Sequence, residues 1–317
     1  MILKNLLLID GINRSGKKSI TDAITSFKKS ESIEMSYVFE HIIEGLSLKL
    51  ISKKFAKSFF EKFLNEIAYN KMLGRNSNFR KEDKSSIQNF SFPNIYKKRL
   101  LIKNEGENIF LKLKQTNNFF PFMTHEILTN LDMLDALKIK YKMISMFRNP
   151  YDLVYSWSQR NIVKNFGEKN FTLSFNYKKK AYPWYVHNTH KKWLKLNNFD
   201  KTAIIVTDLI ERSIRQYNKS KNKKDIFLIK YEDYILNSVS VLKKICKFLN
   251  TNFSSQTYRK LKILKLPSKK INLKKKRDLK INFIKKRVDP RLFKKIEKLE
   301  KNYSKNFYGF QKIYEIL

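Results

Sequence analysis

A single cysteine, Cys246, in 317 residues rules out any intrachain disulfide, and with it the usual reason to place a chain in an oxidising compartment. Histidine is scarce too. The four are scattered, and His187 with His190 has no carboxylate or cysteine at metal-site spacing, so no metal centre is expected. No stretch reaches about 18 uninterrupted apolar residues, and the first residues enter strand-like sequence with no apolar leader and small-residue cleavage site. The expectation is a soluble cytoplasmic protein with no transmembrane segment; nothing in the sequence fixes an oligomeric state. Acidic residues number 28 against 67 Lys and Arg, a formal net charge of +39. Such an imbalance invites a polyanionic partner. Glycine (7) and proline (6) are scarce as well, however, while Lys, Asn, Ile, Phe and Tyr abound. Base composition of the gene accounts for that joint bias as well as selection does. The lysines are spread along the chain and no nucleic-acid module is recognisable, so a non-enzymatic nucleic-acid-binding protein rests on charge alone.

An apolar fraction of 42%, with 25 Phe and 16 Tyr, is ample for the core of one large α/β domain over residues 1–317, with an insertion around 42–118 facing the substrate. The organising stretch is 6–20. Leu6 to Ile9 is a short apolar run of the kind that makes a fully buried strand; it breaks at Gly11, and helix-compatible sequence begins near Lys17. Strand, tight loop, helix is an arrangement that aims backbone N–H groups and the positive end of a helix at one point, where Arg14, Lys17 and Lys18 add cations. The point suits a phosphate. Gly11, four residues, then Gly16-Lys17 match most of a nucleotide-binding P-loop, but Lys18 stands where that motif has its magnesium-ligating Ser or Thr, and Ser19 comes one residue late. The expected fold is therefore three-layered α/β of the P-loop type: a central, mostly parallel sheet flanked by helices, with helical or loop insertions.

Downstream, residues 19–29 read as a helix and 36–41 as a short strand. Over 48–72 the residues Ile51, Phe55, Phe59, Phe63 and Ile67 recur every four positions, with Phe60, Leu64 and Ala68 beside them, the core face of a long helix with Gly74 as its C-cap. Residues 75–118 are polar, with strand signals near Leu100 and Ile109. Two strands follow, 119–123 ending at Thr124-His125 and 141–147 ending at Arg148-Asn149-Pro150. Between them Asn130 caps a helix over 130–137. After the second, Asp152 is placed to cap a helix containing Leu153, Val154 and Trp157. Polar residues at the carboxyl ends of parallel strands sit where open sheets bind ligands, so His125, Arg148 and the first loop are expected to converge. A helix is expected over 185–196 and a strand over 226–229. An amphipathic helix at 241–249 should bury Cys246. The lysine-rich 269–287 reads as a solvated loop, and Asp289-Pro290 starts a last helix.

Three of these pieces, in this order, resemble the PAPS-dependent sulfotransferases. Asn13-Arg14-Ser15-Gly16-Lys17-Lys18 is similar to that family's loop for the 5′-phosphosulfate. Phe147-Arg148-Asn149-Pro150-Tyr151-Asp152, with Ser156 eight residues after the arginine, is similar to its 3′-phosphate-binding strand and helix. Phe227-Leu228-Ile229-Lys230-Tyr231-Glu232-Asp233, followed by a helix ending Phe248-Leu249-Asn250, is like its later strand and helix. Thr124-His125 resembles the pair that in some members carries the catalytic base. The resemblance touches 6–20, 119–160 and 225–250. It implies PAPS as sulfuryl donor without a metal, held at its 5′ end by Asn13, Arg14, Ser15, Gly16, Lys17, Lys18 and Ser19 and at its 3′-phosphate by Arg148 and Ser156. It also implies catalytic roles for Arg14, on the transferring group, and for His125, as base. Lys17 and Lys18 replace the hydroxyl residues usual in the family, so amines would meet the anion as charges. Read without the resemblance, Arg14 serves as a solvated loop cation, His125 as a cap for the next helix, and Arg148 as the ion-pair partner of Asp152 four residues on. Glu232 and Asp233 read as structural.

The activity this implies is in-line transfer to an acceptor hydroxyl. A glycan hydroxyl is the working choice, because a basic surface suits acidic saccharides and Tyr182, Trp184 and Tyr185 can stack on sugar rings. Residues 75–118 and 171–190 are expected to shape the acceptor pocket. The rival reading is a P-loop kinase acting on a nucleoside or similar small molecule with ATP and magnesium, using Asp233 as its acidic residue.

Overall fold

Five consecutive buried residues, Leu6–Asp10, form the strand around which the chain is layered. The computed structural model describes residues 3–103, 106–164, 171–268 and 273–311. In chain order its elements are β1 (Leu6–Asp10), α1 (Lys17–Ile24), α2 (Val38–Ser47), α3 (Lys53–Leu73), α4 (Pro93–Arg99), α5 (Glu107–Gln115), β2 (Phe120–Met123), α6 (Leu131–Ala136) and β3 (Lys142–Phe147). Then come α7 (Pro150–Gln159), β4 (Ser174–Tyr177), β5 (Lys180–Pro183), α8 (His190–Trp193), α9 (Asn198–Lys219), β6 (Ile226–Lys230), α10 (Tyr231–Leu236), α11 (Ser238–Leu249), α12 (Ser255–Ile263), α13 (Leu273–Lys285) and α14 (Pro290–Gln311). None of the described helices is long and apolar enough to cross a membrane.

The main sheet has the order β2-β1-β3-β6 and every pairing is parallel. Side chains alternate across it. Leu6 and Leu8 join Phe39 and Ile43 of α2 and Phe60 and Leu64 of α3 on one face. Leu7 and Ile9 join Ile20 and Ile24 of α1 and Leu242 and Ile245 of α11 on the other. Burial on both faces explains why β1 reads as an unbroken apolar run instead of an alternating one. This is the expected three-layer α/β architecture. A further apolar cluster, with Trp157, Leu209, Ile210 and Ile296, binds α7, α9 and α14 together. The free edge of β2 is covered by the extended stretch 30–34, which bridges to it at Ser30 and Glu34.

Several local expectations are corrected. Residues 36–41 enter a helix, not a strand, because Phe39, Ile42 and Ile43 bury a helical face that a six-residue window cannot display. On α3 the buried stripe is Ala56, Phe60, Leu64 and Ala68, the last three from the expected face, whose other edge is turned outward. Phe55 and Phe59 are 54% and 42% exposed and stack on each other. Gly74 does cap this helix, in the left-handed region. Around Leu100 and Ile109 the backbone is helical, not strand. There α4 is fixed by Arg99, which grips Glu31 with both Nη atoms at 2.7 and 2.8 Å while Tyr96 donates to the same carboxylate at 2.9 Å. Asn130 precedes α6 without capping it; its Oδ1 accepts from Ser47 and Arg212 instead. Asn149, not Asp152, caps α7, accepting from the Tyr151 N–H at 3.0 Å. The helix expected over 185–196 is only a single 3-10 turn and the short α8. Of the expected solvated loop 269–287, residues 269–272 lie outside the described residues. Residues 273–285 form α13, docked on α7 by Arg277 and Lys280, which both pair with Asp152. That pairing also removes Asp152 as the partner of Arg148.

Candidate active site

Parallel pairing brings four loops to one sheet edge: 11–16 after β1, 124–126 after β2, 148–149 after β3, and the turn from β6 into α10. The first loop is held by its backbone. Glu126 accepts from the Asn13 N–H at 2.6 Å, Trp157 donates to the Asn13 carbonyl at 2.8 Å, and Lys17 Nζ donates to the Gly11 carbonyl at 2.5 Å. The Ser15 N–H closes a turn on the Ile12 carbonyl at 2.9 Å. Arg14 and Gly16 both lie in the left-handed region, at φ 73 and φ 100, which turns successive amides toward the amino end of α1. Gly16 is required for a second reason: a Cβ there would sit 2.4 Å from the Tyr231 ring.

Tyr231 is a platform. The Arg148 guanidinium lies 4.8 Å over its ring and donates to the Arg14 carbonyl at 2.9 Å, so the Arg148 side chain closes onto the loop's backbone. Arg14 in turn donates from Nε to Ser156 Oγ at 3.2 Å. Part-burial, with Arg160 and Arg148 close by, lowers the Arg14 pKa. Among the described residues no carboxylate comes within salt-bridge distance of Arg14, Arg148 or Arg160, and Arg148 Nε is buried without a hydrogen-bond partner. Three guanidinium groups thus share one corner, which is unfavourable unless an anion enters.

The sequence-predicted loop residues divide. Asn13 and Arg14 line the cleft, Lys18 is exposed to solvent, and Ser19 is tied by its hydroxyl to Tyr234 at 3.3 Å. The Ser15 hydroxyl is buried and unpartnered, in the space left by the absent side chain of Gly11. Lys17 is turned inward beneath the loop. Burial lowers its pKa, while Glu126, Asp10 and Glu40 raise it. Of the later carboxylates, Glu232 is structural, bonded to Tyr303 at 2.5 Å and paired with Arg277.

Beside the arginines opens a cavity of about 350 Å³ whose lining includes Arg14, Arg160, His125, Glu40, Glu44 and Tyr185. His125 stacks on Tyr37, with centroids 5.8 Å apart, and its Nδ1 lies 3.0 Å from Glu40 Oε1; the same oxygen accepts the His125 backbone N–H at 2.9 Å. One acceptor oxygen facing both groups selects the tautomer with the proton on Nδ1, leaving Nε2 with a free lone pair. Burial, together with Lys17, holds His125 down to about 4, and burial pushes Glu40 up to about 8. His125 is therefore neutral at physiological pH. It does not cap the following 3-10 turn. Asp10 does that work, accepting from the Ile127 and Leu128 N–H groups and from Thr124 Oγ1.

Sequence reasoning missed Tyr231, Glu40, Glu44, Glu126 and Arg160. Only Tyr231, at the end of a readable strand, left a local signal. Of residues 75–118, none lines this cavity; the stretch 42–118 contributes Glu44. Phe171, Thr172, Trp184 and Tyr185 do line it, on either side of the β4-β5 hairpin, while Tyr182 packs against Trp193 instead. A larger cavity, about 810 Å³, opens at the opposite edge of the sheet, where Lys4, Lys29 and Lys142 alternate with Asp135 and Asp225. Its lining has neither the glycine-bounded loop nor a histidine, both of which lie at the smaller one.

Parallel sheet, glycine-bounded loop and a cationic cleft at the carboxyl edge define an α/β protein of the P-loop-like kind. The family model of the sulfotransferase domain matches residues 20–305, starting just after that loop, and the chain belongs to the sulfotransferase family. Similar solved structures include the sulfotransferase domain from the curacin biosynthetic pathway, with TM-score 0.44, 12% identity, and coverage of 81% of this chain and 78% of that one. Others are the sulfotransferase domain of the Synechococcus PCC 7002 olefin synthase (TM-score 0.43, 11% identity, 81% and 78%) and the sulfotransferase STF1 from Mycobacterium tuberculosis H37Rv (0.40, 11%, 87% and 76%). No curated protein matches the chain in sequence. Membership of this family displaces both the kinase and the nucleic-acid-binding readings.

Proposed function

We propose that the protein moves a sulfuryl group from PAPS to an acceptor hydroxyl, a glycan hydroxyl among the candidates, by in-line displacement. The observation that carries this is the meeting of Arg14, Arg148 and Arg160 with no carboxylate among the described residues within salt-bridge distance of them. The residues fit a doubly phosphorylated nucleotide. The amides of the 13–16 turn, the Arg14 side chain and the amino end of α1 take one anionic group; Arg148, whose Nε has no partner among the described residues, and Ser156, whose hydroxyl still has a proton to donate, take the other directly beside it. When bound, PAPS supplies the sulfuryl group.

The chain's own side chains do the rest. Arg14 offsets negative charge as it grows on the departing oxygen, the kind of fixed electrostatic help that matters most in such transfers. Glu40 holds the Nδ1 proton of His125 and fixes the ring against Tyr37, so Nε2 faces the cavity as a proton acceptor for the attacking hydroxyl. Trp157 and Glu126 keep the loop rigid from below.

The test is a titration with adenosine 3′,5′-bisphosphate, followed by thermal unfolding. The bisphosphate should stabilise the wild type, by about 2.7 kcal/mol at a hundredfold excess over Kd, and should not stabilise Arg148→Ala. Equal affinity in the two proteins, or stabilisation only by ATP with magnesium, refutes the assignment.

A further inference from the structure

The cavity beside His125 is electrically lopsided. One end carries Arg14 and Arg160; the inner lining carries Glu40, Glu44 and Glu126. Two of these carboxyls have work to do. Glu40 orients His125 and Glu126 anchors the Asn13 N–H, and Lys17 lies close enough to stabilise both electrostatically. Glu44 has neither. It is only 4% exposed, its Oε2 has no hydrogen-bond partner among the described residues, and the charges that bear on it most are the like charges of Glu40 and Glu126.

A buried carboxyl oxygen left unpaired is costly, and proteins seldom keep one without a use. The helix position does not force it: α2 runs Val38–Ser47 with Glu40 and Glu44 one turn apart on the same face, both turned to the cavity. The surrounding walls are aromatic, from Tyr37, Phe171, Trp184 and Tyr185. Carboxylate and π faces around one small space are the two surroundings that favour a desolvated ammonium group. An acidic saccharide, suggested by the chain's net charge, would instead bring its carboxylates against Glu44 and Glu40.

We infer that the acceptor carries an ammonium group as well as its hydroxyl, and that Glu44 receives that ammonium at the inner end of the cavity. This rests on the sulfuryl-transfer reading of the same cavity. The buried carboxyl of Glu44 sits well above its ordinary range, because burial and the neighbouring carboxylates disfavour its charge; an ammonium against it relieves that penalty.

The experiment measures binding without any sulfuryl donor, so its result is independent of whether PAPS is the donor. Two probe pairs are titrated by calorimetry: glucosamine against N-acetylglucosamine, and tyramine against N-acetyltyramine. At least one ammonium member should bind about tenfold or more tighter than its N-acetyl counterpart, the discrimination of one desolvated charge-assisted pair. Glu44→Gln, nearly the same shape, should erase that preference, and Glu44→Asp should retain part of it. Equal binding within both pairs, preference for the N-acetyl members, or a preference that survives Glu44→Gln overturns the inference. Loss of bisphosphate binding with the ammonium preference intact would refute the donor assignment alone.

Discussion

Replacing Glu40 with Gln removes one titration from the cavity while keeping an oxygen for His125. In the folded chain burial holds Glu40 at about 8, against 4.5 ordinarily. A raised carboxyl pKa contributes stability that is full below the unfolded value and is lost as pH rises through the folded one, because only the unfolded chain is free to ionise in between. His125 complicates the lower half of that window. Its pKa falls from 6.5 to about 4, so its contribution runs the other way, rising with pH until 6.5. Above pH 6.5 the imidazole is neutral in both states and Glu40 acts without it. From pH 6.5 to 8, at about 1.4 kcal/mol per pH unit, the wild type should lose about 2 kcal/mol relative to Glu40→Gln. Glu44 and Glu126 are raised as well, which steepens both curves and leaves the difference to Glu40. Urea unfolding of the two proteins at pH 6.5 and pH 8 measures it. Parallel stability at the two pH values would show that Glu40 is ionised in the folded protein and would remove the basis for a neutral His125 to Glu40 pair.

His125→Ala should keep the thermal stabilisation by adenosine 3′,5′-bisphosphate but lose turnover by about 10²–10⁴-fold, the usual contribution of a positioned base; near-normal turnover would place the base elsewhere. Gly16→Ala puts a Cβ into the Tyr231 ring at a left-handed position, and should cost about 1–3 kcal/mol in denaturant unfolding. Because Tyr231 carries Arg148, bisphosphate affinity should fall too. Adding Tyr231→Ala should relieve the clash but not the left-handed strain, so it recovers part of the stability and none of the affinity; recovery of the affinity would deny Tyr231 its platform role.

The residues that announced the site were those with strong local grammar. Gly11 and Gly16 bounding a basic loop, and Arg148 at the end of an apolar strand, need only their neighbours in sequence to declare a phosphate-type cradle. The same holds for the four strands, where burial on both faces produces runs such as Leu6 to Ile9. Helices were less legible where they were short or where two stripes competed. On α3 the expected apolar face spans two adjacent stripes, of which Phe60, Leu64 and Ala68 lie inward, with Phe60 packed on Phe39 of α2, while Phe55 and Phe59 stay exposed. A charged helix such as α13 carried no readable signal; what docks it is a pair of cations meeting Asp152, more than a hundred residues earlier.

By itself, then, the sequence determined the glycine-bounded basic loop and the buried strands whose carboxyl ends meet it, because backbone turns and buried strands are set by nearest neighbours. Only the tertiary structure decided which side chains surround that loop. Glu40 comes from a stretch that reads as a strand, Glu44 from one helical turn beyond it, Glu126 from a left-handed turn, and Arg160 from the far end of α7. Their charges matter through distances of a few ångströms across the cavity, and separation along the chain carries no record of those distances.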